Sequence, residues 1–83
     1  MNSKHQRTLQ AIQGKPVSPN IRWQDIEALF VALGSEISEG NGSRVRIKLN
    51  GISMVFHRPH PAPQTDKGAL VSVGKFLKMA GIL

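Results

Sequence analysis

The chain has 83 residues, no cysteine, and eleven Lys and Arg against five Asp and Glu, a net charge of +6. This length bounds it to one domain with a thin core, and the lack of cysteine excludes disulfides and thiolate metal sites and fits a reducing cytosol. No apolar run approaches the roughly 20 residues of a membrane span, and the N-terminus MNSKHQRTLQ lacks the apolar centre of a signal peptide, so no membrane partner is expected.

Ser3 to Gln13 (SKHQRTLQAIQ) sets Leu9 and Ile12 three apart among basic residues. It predicts a short helix, stopped by Gly14 and Pro16, with a narrow apolar face that adds little to the core. Residues 14–20 (GKPVSPN) form a turn-rich linker, in which Ser18 or Asn20 is placed to cap the next helix. In IRWQDIEALFVALG, Ile26, Leu29, Phe30 and Leu33 stand at i, i+3, i+4 and i+7, and Trp23 extends that face by a turn. Asp25 and Glu27 suit the positive end of the helix dipole, and Gly34 suits its C-terminal cap.

A short edge strand is expected over 35–38, then a turn at Glu39-Gly40-Asn41-Gly42. From Ser43 to Leu49, Val45, Ile47 and Leu49 alternate with Arg44, Arg46 and Lys48, the period of a half-buried strand. Asn50-Gly51 is the strongest short hairpin signal, and Ile52 to Phe56 returns as the partner strand. The loop HRPHPAPQT holds three prolines, which forbid a continuing strand. Thr65 or Asp66 is positioned to cap a last helix. Its buried stripe is Leu70, Val73, Phe76, Leu77 and Ala80, and Gly74 inside it is expected to let it pack closely on the sheet. The fold class is therefore α+β, a three-stranded antiparallel sheet covered on one face by two helices, with an extra N-terminal helix. Residues 1–19 read as that helix and its linker, and 20–83 as the functional domain.

The charge is unevenly placed. No acid occurs between Arg44 and Arg58, a stretch that holds Arg44, Arg46, Lys48, Arg58 and His57, with His60 two residues on. Arg44, Arg46 and Lys48 project from one strand about 7 Å apart, near the spacing of successive phosphates on one nucleic-acid strand. A solvated strand face that resists aggregation accounts for the same pattern. Histidine titrates near neutral pH. Beside bound phosphate it can act as general base on a ribose 2′-hydroxyl or as general acid on the 5′-leaving oxygen, while arginine stabilises the added charge. This chemistry needs no metal or other cofactor. Zinc is disfavoured, because His57 and His60 have no third histidine except the distant His5 and their surroundings are cationic. Trp23, Phe30, Phe56 and Phe76 read as core, so a base-stacking sheet is not indicated.

Gly42-Ser43, a basic strand, Asn50-Gly51, a second strand, Pro59-His60-Pro61, Lys67-Gly68-Ala69-Leu70 and the ending Lys78-Met79-Ala80-Gly81-Ile82 succeed one another in an order that resembles the HicA family. These are small bacterial toxins of type II toxin–antitoxin modules, and the resemblance covers roughly residues 22–83. It implies a fold similar to a double-stranded RNA-binding domain, metal-independent cleavage of mRNA, a bacterial cytoplasmic location, and a HicB antitoxin that covers the active site. His60 matches the family's histidine between prolines, and His57 is additional. One departure matters. The family places its catalytic histidine directly after Gly-Ser or one residue later, where this chain has Arg44 and Val45. Arg44 cannot serve as a base, because guanidinium stays protonated, but it can bind phosphate. The expectation is a migrated site, with His60 or His57 as acid–base group and Ser43, Arg44, Arg46, Lys48 and Arg58 as RNA phosphate ligands. A non-catalytic RNA-binding module or an inactive toxin is the alternative, and a basic face that docks an acidic protein is a third reading.

Overall fold

The computed structural model describes residues 3–14, 21–59 and 63–83. The elements run α1 (Ser3–Gln13), α2 (Trp23–Ala32), β1 (Glu36–Glu39), β2 (Arg44–Leu49), β3 (Ile52–His57) and α3 (Lys67–Met79). The strands form one antiparallel sheet in the order β1-β2-β3. The α+β class, the helices, the sheet and the additional N-terminal helix are as the sequence predicts; β1 and the start of β2 lie one residue later than expected, and β3 runs on through His57, which the sequence places in the loop. Among the described residues no helix is long and apolar enough to cross a membrane.

Alternation on β2 decides the layering. Val45, Ile47 and Leu49 are buried and Arg44, Arg46 and Lys48 are exposed. The buried face joins Ile26, Leu29 and Phe30 of α2 and Leu70, Val73, Phe76 and Leu77 of α3 in a single apolar cluster. Burying each such aliphatic or aromatic side chain contributes about 1.5–3 kcal/mol. Phe30 sits among the other rings, with centroids 5.6 Å from Phe76, 5.8 Å from Phe56 and 6.5 Å from Trp23.

Three local expectations are corrected. First, α1 contributes to the core: Ile12 is buried in it, with Leu9 and Ala11 packed alongside, and Lys4 Nζ lies 3.2 Å from Asp25 Oδ1 on α2. Second, Gly74 faces α1 and not the sheet, since a Cβ there would meet Ile12 Cγ2 at 3.7 Å. Third, α2 has Arg22 as its N-cap, without a side-chain cap bond. Its first amide, Trp23 N, donates instead to the Pro63 carbonyl at 3.0 Å, and Thr65 N donates to Ile21 O at 2.8 Å. The chain leaving the proline-rich loop therefore pairs with the residues leading into α2. Ser18 and Asn20, the expected caps, lie outside the described residues.

At the far end, Asp66 caps α3 by accepting from Ala69 N at 2.7 Å, as its sequence suggests. Gly81 ends it with φ +82°.

Candidate functional site

The Asn50-Gly51 turn sets the geometry of the site. Both residues have positive φ (51° and 81°), the backbone of a two-residue type I′ turn. Leu49 is thereby paired with Ile52, and each step back along β2 is a step forward along β3. Arg46 falls opposite Val55 and Arg44 opposite His57. Arg58 N donates to Ser43 O at 2.8 Å, so Arg44 and His57 form the adjacent pair without mutual backbone hydrogen bonds. In such pairs the facing side chains are closest, with Cα atoms about 4.5 Å apart.

Both side chains are exposed on the open face of the sheet. There a concavity of about 540 Å³ is lined by Arg44, Arg46, His57, Val55, Ser38 and Asn41, and by Glu39, whose carboxylate is engaged by Arg58. Its rim is the 40–43 loop, which is closed by Gly40 N donating to Arg44 O at 2.9 Å and Arg44 N donating to Asn41 O at 3.2 Å. A Cβ on Gly40 would lie 3.0 Å from Arg44 Cβ and 3.3 Å from its carbonyl oxygen. Glycine is what lets the loop fold back against Arg44.

The cationic row divides. Arg44 and Arg46 line the concavity; Lys48 lies outside its lining and opposite Glu36 of β1 in register. Ser43 is exposed in the loop, and its carbonyl accepts from Arg58 N.

Arg58 follows the strand alternation to the other side of the sheet. Its Nε and Nη2 donate to Glu27 on α2 at 2.7 and 3.0 Å. Its Nη1 and Nη2 donate to Glu39 at the end of β1 at 2.5 and 2.8 Å. Glu27 also accepts from Trp23 Nε1. The hydrogen bonds to Glu27, then to Glu39, push the Arg58 pKa further above its ordinary value. The hydrogen bond from Arg58 holds the Glu39 carboxyl below its ordinary value. Two carboxylates thus occupy the Arg58 fork, and its placement is that of a clamp behind the site and not of a free phosphate ligand.

His60 lies outside the described residues. Of the residues singled out in the sequence, the structure brings Arg44, Arg46 and His57 together. Sequence reasoning misses Val55, Ser38 and Asn41. The first is available from the turn, which fixes Val55 opposite Arg46; the other two depend on how β1 joins the hairpin.

Neither the curated proteins nor the solved structures include a match to the chain. A family model does match: the HicA toxin of bacterial toxin–antitoxin modules, over residues 23–82. That span runs from the first residue of α2 past the end of α3 and contains the whole sheet, its concavity and the Arg58 clamp. The chain therefore belongs to the HicA toxin family, and it is a toxin of a toxin–antitoxin module.

Proposed function

We propose that the chain is an endoribonuclease that cleaves mRNA without a metal and is silenced by a HicB-type antitoxin seated over the open face of the sheet. Membership of a family of ribonuclease toxins supports the reaction class, and the antitoxin partner follows from the same membership. The observation that carries the site is the cross-strand pairing of Arg44 with His57. Arg44 stands where the family has its histidine, and His57 is the side chain directly opposite, in the same concavity. A histidine displaced by one strand still reaches the space that the usual one serves.

In this reading Arg44 and Arg46 bind the scissile phosphate and stabilise the charge that builds on it. Ser43 and Lys48 extend the contact to neighbouring phosphates. His57 Nδ1 or Nε2 takes the proton of the ribose 2′-hydroxyl, whose oxygen attacks phosphorus as the bond to the 5′-oxygen breaks. His60, three residues beyond His57 in the sequence, is the candidate to protonate that leaving oxygen. Arg58 acts from behind, fixing the end of β3 that carries His57.

A second reading has an observation of its own. Arg44 cannot exchange protons at neutral pH, and a site left with phosphate ligands alone would bind RNA without cutting it. One experiment separates the two. Antitoxin-free protein is incubated with a long unstructured RNA in EDTA, beside His57→Ala, His60→Ala and Arg44→Ala. The nuclease reading expects the parent to cut, His57→Ala to lose cutting by about 100-fold or more while still binding, and Arg44→Ala to lose both. A parent that binds RNA but never cuts leaves the binding module.

A further inference from the structure

The chain contains two Asn-Gly pairs, Asn41-Gly42 and Asn50-Gly51, and the structure treats them oppositely. We propose that Asn41 is a site of spontaneous deamidation that adds to the concavity a second carboxylate, one not engaged by Arg58 as that of Glu39 is, and so acts as a built-in off-switch. The switching half of this proposal rests on the ribonuclease reading; the chemistry at Asn41 does not.

Asparagine before glycine is the least hindered case for the reaction, because no side chain obstructs the attacking amide. The backbone nitrogen of Gly42 loses its proton and bonds to Cγ of Asn41. The Cγ–Nδ2 bond breaks and ammonia leaves, giving a cyclic imide. Water then opens the imide to aspartate or isoaspartate. Three conditions favour this at Asn41. Its side chain is exposed and, among the described residues, has no hydrogen-bond partner. The Gly42 amide is likewise held by no acceptor among the described residues. The neighbouring Arg44 and Arg46 favour the amide anion that attacks.

Asn50 fails the first condition. Its Nδ2, the leaving group, donates to the carbonyl of Ala80 at 2.7 Å, which ties it to the end of α3. Turning Cγ toward the Gly51 nitrogen and losing Nδ2 as ammonia would give up that bond.

The consequence at Asn41 comes from its place. It lines the concavity with Arg44 and Arg46, and its carbonyl accepts from Arg44 N. A new carboxylate there competes with phosphate for the two guanidinium groups. Isoaspartate in addition lengthens the main chain by one carbon in the loop that seats Arg44.

The test ages the full chain in mildly alkaline buffer, folded and in denaturant, and monitors both sites by peptide mapping with isoaspartate detection. RNA binding is measured in parallel for the parent, Asn41→Asp and Asn41→Gln. The proposal expects Asn41 to convert several-fold faster than Asn50 in the folded chain and the two rates to converge in denaturant. It also expects Asn41→Asp to bind RNA several-fold more weakly than Asn41→Gln. Equal folded-state rates, or faster conversion of Asn50, overturn the site; equal RNA binding by the two variants overturns the switch. A parent that does not bind RNA sinks the ribonuclease reading, and with it the switch, while the peptide map still decides the chemistry.

Discussion

The two ends of the β2–β3 hairpin are held by different means. At the closed end, Asn50 and Gly51 adopt the positive φ values the turn requires, and the Asn50 side chain fastens the turn to Ala80. At the open end, where Arg44 and His57 face each other, no tight turn is available. There the strand ends are held by Arg58, whose side chain joins α2 through Glu27 and β1 through Glu39, and by the tight 40–43 loop. One end is specified by two adjacent residues. The other depends on residues 27, 39 and 58, far apart in the chain, and it is the end that carries the site. A functional concavity cannot be filled by its own packing, so the order it needs is supplied from the opposite side of the sheet.

Arg58→Ala has the largest expected effect. It removes the fork and, among the described residues, leaves the half-buried Glu27 with Trp23 alone as a partner. A destabilisation of about 1–3 kcal/mol is expected, the range for hydrogen bonds to charged groups reduced for partial exposure. Denaturant unfolding measures it, and amide exchange should show faster opening at the 39–44 and 55–58 ends than at the turn. Uniform exchange along the hairpin would mean that Arg58 does not hold one end in particular.

Gly40→Ala comes next and perturbs the same end by another route. The added Cβ meets Arg44 Cβ at 3.0 Å and the Arg44 carbonyl at 3.3 Å, and the backbone oxygen cannot swing aside. Overpacking of this kind costs about 1–3 kcal/mol, at the lower end here because the loop is exposed. RNA binding should fall more than stability does, since the displaced residue is Arg44. A variant that binds RNA like the parent would show that Arg44 is not required where it now sits.

Asn50→Gly probes the closed end. Glycine keeps the positive φ and loses only the bond to Ala80 O, so a loss of about 1 kcal/mol is expected, with no change in RNA binding. A larger loss at this end than from Arg58→Ala would reverse the comparison.

The contrast also explains what can be read from the sequence. Alternation at Val45, Ile47 and Leu49, the helical spacing of Ile26, Leu29 and Phe30, and the Asn50-Gly51 pair are local signals, and each specifies its element. The turn even fixes Arg44 opposite His57 by counting outward from Leu49 and Ile52, although the row of cations on β2 draws the eye along the strand and not across it. Arg58 is misplaced by sequence reasoning for a physical reason: its neighbours in sequence are histidines and prolines, whereas its partners lie 31 and 19 residues away. Charge counted along the chain makes it part of a cationic patch, and the fold turns it to the other side. Ile12 and the Pro63 carbonyl likewise act through contacts that no periodicity encodes. The strap from Pro63 to Thr65 carries no strand pattern, yet it supplies the acceptor for the first amide of α2.

The smallest expected effect tests the clamp without removing a large side chain. Arg58 hydrogen bonds hold the Glu39 carboxyl below its ordinary value of 4.5. A carboxyl whose pKa is lower in the folded than in the unfolded chain contributes stability that is fully present above the unfolded value and is lost as pH falls through the folded one. Arg58 is shifted upward, so its contribution is present throughout the neutral and acid range and is lost only in strong alkali. The acid-side change therefore belongs to the carboxylate. The stability difference between the parent and Glu39→Gln should be constant above about pH 4.5 and shrink below it, and added salt should reduce it, since Glu39 is exposed. A difference that does not change on acidification would mean that the Glu39 half of the clamp contributes nothing in solution. Glu27 would then hold Arg58 alone, and the open end of the hairpin would be tied to α2 but not to β1.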